Sequence, residues 1–135
     1  MGALVDRNPE DESFAGHRVL IVEDELFIAL DLEDTVKAMG FDVAGLANSK
    51  DQAMRLAPHA DIAFVDVNLV DGATGPEIGR RLVEDYGVTV VFMTGNPEVV
   101  EGRVTGALGV VTKPAMPSAV EKTLRRAVEA RRSMY

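Results

Sequence analysis

The chain has 135 residues, no cysteine, 47% apolar residues and a formal net charge of −8. That length supports one domain with a real core, and the absence of cysteine excludes disulfides and thiolate metal sites. No apolar stretch approaches a membrane span, and no basic region followed by an apolar core opens the chain, so a cytoplasmic protein is expected.

Charge is unevenly spread. Residues 1–17 carry one base and four acids, residues 18–112 seven bases and sixteen acids, and residues 113–135 six bases and two acids. An acidic body repels nucleic acid, so no direct nucleic-acid partner is expected. The basic end reads as the solvated face of a terminal helix.

Residues 1–17 are polar, acidic and without periodicity, which predicts a disordered tail ahead of a domain over 18–132. A strand over 18–22 precedes a helix over about 25–39, with Ile28, Leu32, Val36 and Met39 on one face and Gly40 after its end. A strand near 41–47 follows. Ser49-Lys50-Asp51-Gln52 is a capping box opening a short helix stopped by Pro58. Strand 61–65 leads into a loop with an Asp71-Gly72 turn, then a helix over about 75–85 with Ile78, Leu82 and Tyr86 inward. Strand 88–93 is apolar throughout, as in a strand covered on both faces. A short helix over 97–105, a strand over 108–112 and a last helix complete the order. Ser118 to Glu121 caps that helix, and Val120, Leu124, Ala127 and Val128 face inward. Met39, Met54, Met93 and Met116 read as core filling. Five strands alternating with five helices give an α/β fold, a doubly wound five-stranded parallel sheet of flavodoxin-like (βα)5 type.

In such a sheet, sites form at the carboxyl ends of strands. Glu23 and Asp24 follow the first strand, Asp66 the third, Thr94 and Gly95 the fourth, and Lys113 the fifth. Three carboxylates brought close together need a proton or a cation to compensate them. A hard cation such as Mg²⁺ takes oxygen ligands, here Glu23, Asp24, Asp66 and the backbone carbonyl of Asn68. Asp66 can also attack a phosphoryl group to form an aspartyl phosphate. Lys113 would reach that group as a point charge and the Thr94 hydroxyl as a hydrogen-bond donor, while Gly95 leaves room for it. His17 and His59 sit on no four-helix-bundle face and are not expected to accept phosphoryl groups.

These motifs make the chain resemble the receiver domain of two-component response regulators, the CheY-like family. They are Arg18 through Glu25, Phe64 through Gly72, Val91 through Gly95, and Gly106-Ala107 through Lys113-Pro114. The resemblance implies that Asp66 is the phosphoacceptor, that Asp24 ligates Mg²⁺ directly and Glu23 through water, and that Thr94 is the switch hydroxyl. It also implies a cis bond between Lys113 and Pro114. Three positions depart from the pattern. Val110 stands where an aromatic switch residue is common, Thr94 and Lys113 are only nineteen positions apart, and Met116-Pro117 replaces the aromatic that often follows Lys-Pro. The Phe-Met-Thr-Gly run and short fourth helix are similar to certain alphaproteobacterial stress-response receivers.

The expected function is a single-domain response regulator, not an enzyme in its own right. It would take its phosphoryl group from a histidine kinase or phosphotransfer protein and signal by protein contact, with a homodimer through the fourth-helix, fifth-strand and fifth-helix face as a further expectation. One alternative is a small phosphatase or phosphotransferase using Asp66 as nucleophile, but Asn68 stands where such enzymes often carry a second acid. The other is a receiver that acts without phosphorylation.

Overall fold

A computed structural model describes residues 16–69, 71, 72, 74–96 and 107–134. The elements are β1 (Arg18–Val22), α1 (Leu26–Ala38), β2 (Asp42–Ala47), α2 (Lys50–Leu56), a 3₁₀ turn (Ala57–His59), β3 (Ile62–Asp66), α3 (Gly75–Tyr86), β4 (Thr89–Thr94), β5 (Gly109–Thr112) and α4 (Pro117–Met134). All five strands are parallel in one sheet of order β2-β1-β3-β4-β5. This is the flavodoxin-like architecture expected from the alternation of elements. The short helix expected over 97–105 and residues 1–15 of the acidic tail lie outside the described residues.

Alternation along the strands divides the core between the two sheet faces. Val19, Ile21, Phe64, Val91 and Met93 pack with Leu32 and Val36 of α1 and Val120, Leu124, Ala127 and Val128 of α4. Leu20, Val22, Ala63, Val65, Val90 and Phe92 pack with Ala53 of α2 and Ile78 and Leu82 of α3. Central strands are covered on both faces, which is why β3 and β4 read as continuous apolar runs up to their last residues, Asp66 and Thr94.

Three local expectations are corrected. Tyr86 is 38% exposed rather than inward. It is the last residue of α3, and Gly87 ends the helix there in the left-handed conformation, at φ +67°. Met116 is 59% exposed, because it lies in the connection before α4 rather than in the core. Ser118 is not the cap of α4. That helix starts one residue earlier, at Pro117, whose fixed φ suits the first helical position, and the Val120 amide already donates to the Met116 carbonyl at 3.0 Å. At α2 the expected cap forms, since Ser49 Oγ accepts from the Gln52 amide. Pro58 falls in the 3₁₀ turn just beyond that helix.

Candidate functional site

The sheet brings the predicted residues to one edge. Val22 pairs with Val65, Asp66 with Met93, and Thr94 with Thr112, so β1, β3, β4 and β5 all end at the same level. Among the described residues, the buried polar side chains are Glu23, Asp66 and Thr94. Burial of carboxylates is uncommon unless they are paired, and here they follow or end strands that are otherwise apolar.

The partners are specific. Lys113 Nζ lies 2.8 Å from Glu23 Oε1 and 3.0 Å from Asp66 Oδ2. The Asn68 amide donates to Asp66 Oδ1 at 3.1 Å, and the Glu25 amide donates to Glu23 Oε2 at 3.1 Å. Asp24 is exposed, yet it offers a carboxylate oxygen in a group with Glu23 and Asp66 whose ligand atoms lie within 4.8 Å of one another. The Lys113 amide donates to the Thr94 carbonyl at 2.9 Å, which ties the end of β5 to that of β4. The Lys113–Pro114 bond is cis, as the resemblance implies.

Thr94, at the end of β4, bonds within its own loop. Its hydroxyl accepts from the Asn96 amide at 3.1 Å and donates to the Asn96 carbonyl at 3.3 Å, closing a turn in its own loop. A short polar side chain beside its own backbone makes such local bonds readily.

Three carboxylates face one ammonium, so the site is short of positive charge. Burial pushes the Glu23 carboxyl up to about 7, against the lowering effect of the Lys113 and Glu25 hydrogen bonds. Burial alone would lower Lys113. Its hydrogen bonds and charge interactions with Glu23 and Asp66 outweigh that and hold it above its ordinary value. A hard divalent cation suits this donor set, which offers oxygen from two neighbouring strand ends and no sulfur. His17 and His59 lie at the opposite end of the sheet, before β1 and β3. Asn68 is exposed beside Asp66.

The raised Glu23 carboxyl gives a pH prediction. Between about pH 4.5 and 7 the folded protein keeps a proton on Glu23 that the unfolded chain releases. Stability in chelator should therefore fall as pH rises through that window. Urea midpoints at pH 4.5 and 7.5 should show a fall in wild type that Glu23→Gln lacks; equal slopes would disprove the assignment.

Residues 19–125 match the response regulator receiver domain. The chain belongs to that family. It is 31% identical over 114 residues to the phyllosphere-induced regulator PhyR of Methylorubrum extorquens, covering 82% of this chain and 43% of that protein. The receiver domain of Erythrobacter litoralis PhyR superposes with a TM-score of 0.77 at 32% identity, over 84% of this chain and 91% of that one. The anti-anti-sigma factor PhyR of Bartonella quintana, solved as a double mutant, gives 0.79 at 26% identity, over 91% of this chain and 53% of that one. Among the described residues of this receiver domain, no helix is long and apolar enough to cross a membrane.

Sequence reasoning missed how the loop after Asp66 is fastened. Asp71 reads as a turn former, and Gly72 does adopt φ +104° there. The Asp71 carboxylate, however, also accepts from the Lys50 amide, 21 residues away. No periodicity or motif signals a contact of that kind.

Proposed function

We propose that this receiver, spanning residues 18–132 after an acidic tail, accepts a phosphoryl group on Asp66 from a phosphohistidine of a kinase or phosphotransfer protein. The observation that carries the reading is the state of Asp66. It is a buried carboxylate with one oxygen on the Asn68 amide and the other on the Lys113 ammonium, beside two further acids. Such a carboxylate is fixed in place before its donor arrives.

In the step, an Asp66 oxygen attacks phosphorus, a P–O bond forms and the P–N bond to the histidine breaks. The bonding pair returns to the imidazole nitrogen, and the ring, protonated on its other nitrogen, leaves neutral. Glu23, Asp24, Asp66 and the Asn68 carbonyl would hold Mg²⁺, whose positive charge would offset that on the transferred oxygens. Lys113, already on an Asp66 oxygen, would reach the transferred oxygens as a point charge. The Thr94 hydroxyl leaves Asn96 and donates to a phosphoryl oxygen, so Asp66 chemistry is felt in the loop after β4. Hydrolysis of the acyl phosphate resets the site. The self-catalysed reactions stop there, and output is by protein contact. The likeness to the anti-anti-sigma factor PhyR points to a regulatory protein as the recipient.

The test is incubation with acetyl phosphate, with and without Mg²⁺, followed by intact mass. Wild type should gain one Mg²⁺-dependent phosphoryl adduct that Asp66→Asn lacks. An adduct of equal yield on Asp66→Asn would overturn the assignment.

A further inference from the structure

Asp71 ties together two loops that flank the acid cluster. Its Oδ1 accepts from the Thr74 hydroxyl at 2.7 Å, and its Oδ2 accepts from the Lys50 amide, at the start of α2, at 3.2 Å. Those two bonds, Thr74 first, hold its carboxyl below the ordinary range. A second link runs parallel, since Lys50 Nζ lies 2.7 Å from Glu77 Oε1 in the first turn of α3.

These links complete a ring of contacts around the site. From Asp66 the chain enters a loop pinched by two Leu69–Gly72 backbone bonds of 2.9 Å and returned by the Gly75 amide to the Val67 carbonyl. Asp71 carries that loop to Lys50. Just before Lys50, the Asn48 amide donates to Gln52 Oε1 at 2.8 Å, and the Ala47 carbonyl accepts from the Glu23 amide at 2.8 Å. The ring thus runs from Asp66 through Asp71, Lys50 and Ala47 to Glu23, which stands beside Asp66 again. Through Asp71, the segment carrying Asn68 is joined directly to the start of α2.

We infer that Asp71 is a positioning residue: by bonding Thr74 and the Lys50 amide together, it fixes the Asn68 loop against the start of α2 and so holds the Asp66 site ready to react. The inference rests on the reading of Asp66 as phosphoacceptor, because the loop it fixes is the one that follows Asp66. Asp71 touches no reacting atom. Its effect should therefore appear in the rate at saturating donor and not in the donor concentration needed for half that rate.

The experiment compares Asp71→Ala, Thr74→Val and Thr74→Ser with wild type. It follows transfer from acetyl phosphate in Mg²⁺ and, separately, amide hydrogen exchange at Lys50 and Asn68 in the metal-free protein. Asp71→Ala should slow transfer about tenfold and speed exchange of both amides about tenfold, the scale of one or two lost hydrogen bonds. Thr74→Val should lower the rate about threefold, and Thr74→Ser, which keeps the hydroxyl, should match wild type. Unchanged transfer in Asp71→Ala, unchanged exchange at both amides, or a rate loss that Thr74→Ser shares with Thr74→Val would each overturn the role. If wild type itself takes no phosphoryl group, the reading of Asp66 fails instead, and the exchange data still decide whether Asp71 fixes the loop.

Discussion

Replacing Lys113 by methionine is expected to slow phosphoryl transfer about a hundredfold, the scale of losing one preorganised charge at a reacting group. It should also destabilise the metal-free protein by about 3 kcal/mol at pH 8. Methionine keeps the unbranched stem and removes only the ammonium. That ammonium lies within 3.0 Å of two carboxylates, on Glu23, whose side chain is fully buried, and on Asp66, whose side chain is 7% exposed. Without it the two acids face each other uncompensated, and removal of one partner from a buried ion pair is costlier than the pair is stabilising.

The pH dependence separates this account from a mere packing defect. At pH 5 Glu23 already carries a proton in the folded protein, because its carboxyl is raised to about 7. The destabilisation by Lys113→Met should then shrink. Millimolar Mg²⁺ should shrink it too, by supplying the missing positive charge. Urea unfolding at pH 5 and pH 8, with chelator or Mg²⁺, measures all of this. A loss equal under every condition would assign Lys113 a packing role only, and an unchanged transfer rate would remove it from the site.

The parts of this site that sequence reveals are those fixed by strand ends. Glu23, Asp24, Asp66, Thr94 and Lys113 are legible because each ends or follows an apolar run, and a parallel sheet has one direction, so all strand ends on one side gather together. The same logic recovers the core, since a strand buried on both faces has no polar positions to confuse the reading. Legibility ends where a contact is set by geometry between elements. Tyr86 continues the inward stripe of Ile78 and Leu82, yet the helix stops at it and leaves the ring exposed. The turn that the Thr94 hydroxyl closes on Asn96 has no signal in the sequence either. Asp71 looks like one half of an Asp-Gly turn until the fold places Lys50 against it. Sequence periodicity states which face a side chain is on. It does not state which loop from elsewhere in the chain will meet it.

Gly75→Ala is expected to be among the most damaging single-methyl changes, costing about 3 kcal/mol through overpacking. Gly75 opens α3, directly behind Asp66, and its amide bonds the Val67 carbonyl at 3.2 Å. A Cβ there would lie 2.6 Å from Val67 Cα and 2.7 Å from the Val67 carbonyl oxygen, and would press on the Asp66 carbonyl oxygen as well. All three neighbours are backbone, so no side chain can rotate aside. Relief must come from moving either the start of α3 or the end of β3, and the second alternative displaces Asp66 itself. Transfer from acetyl phosphate should accordingly fall even at temperatures where the variant is fully folded. Gly95→Ala is the matched comparison: a Cβ at Gly95 meets nothing within 4 Å, so its unfolding midpoint should stay within experimental error of wild type. Urea denaturation of the two variants decides the matter. Equal stability for both would mean that the backbone behind Asp66 yields freely, and that the close approach of α3 is not what holds the carboxylate in place.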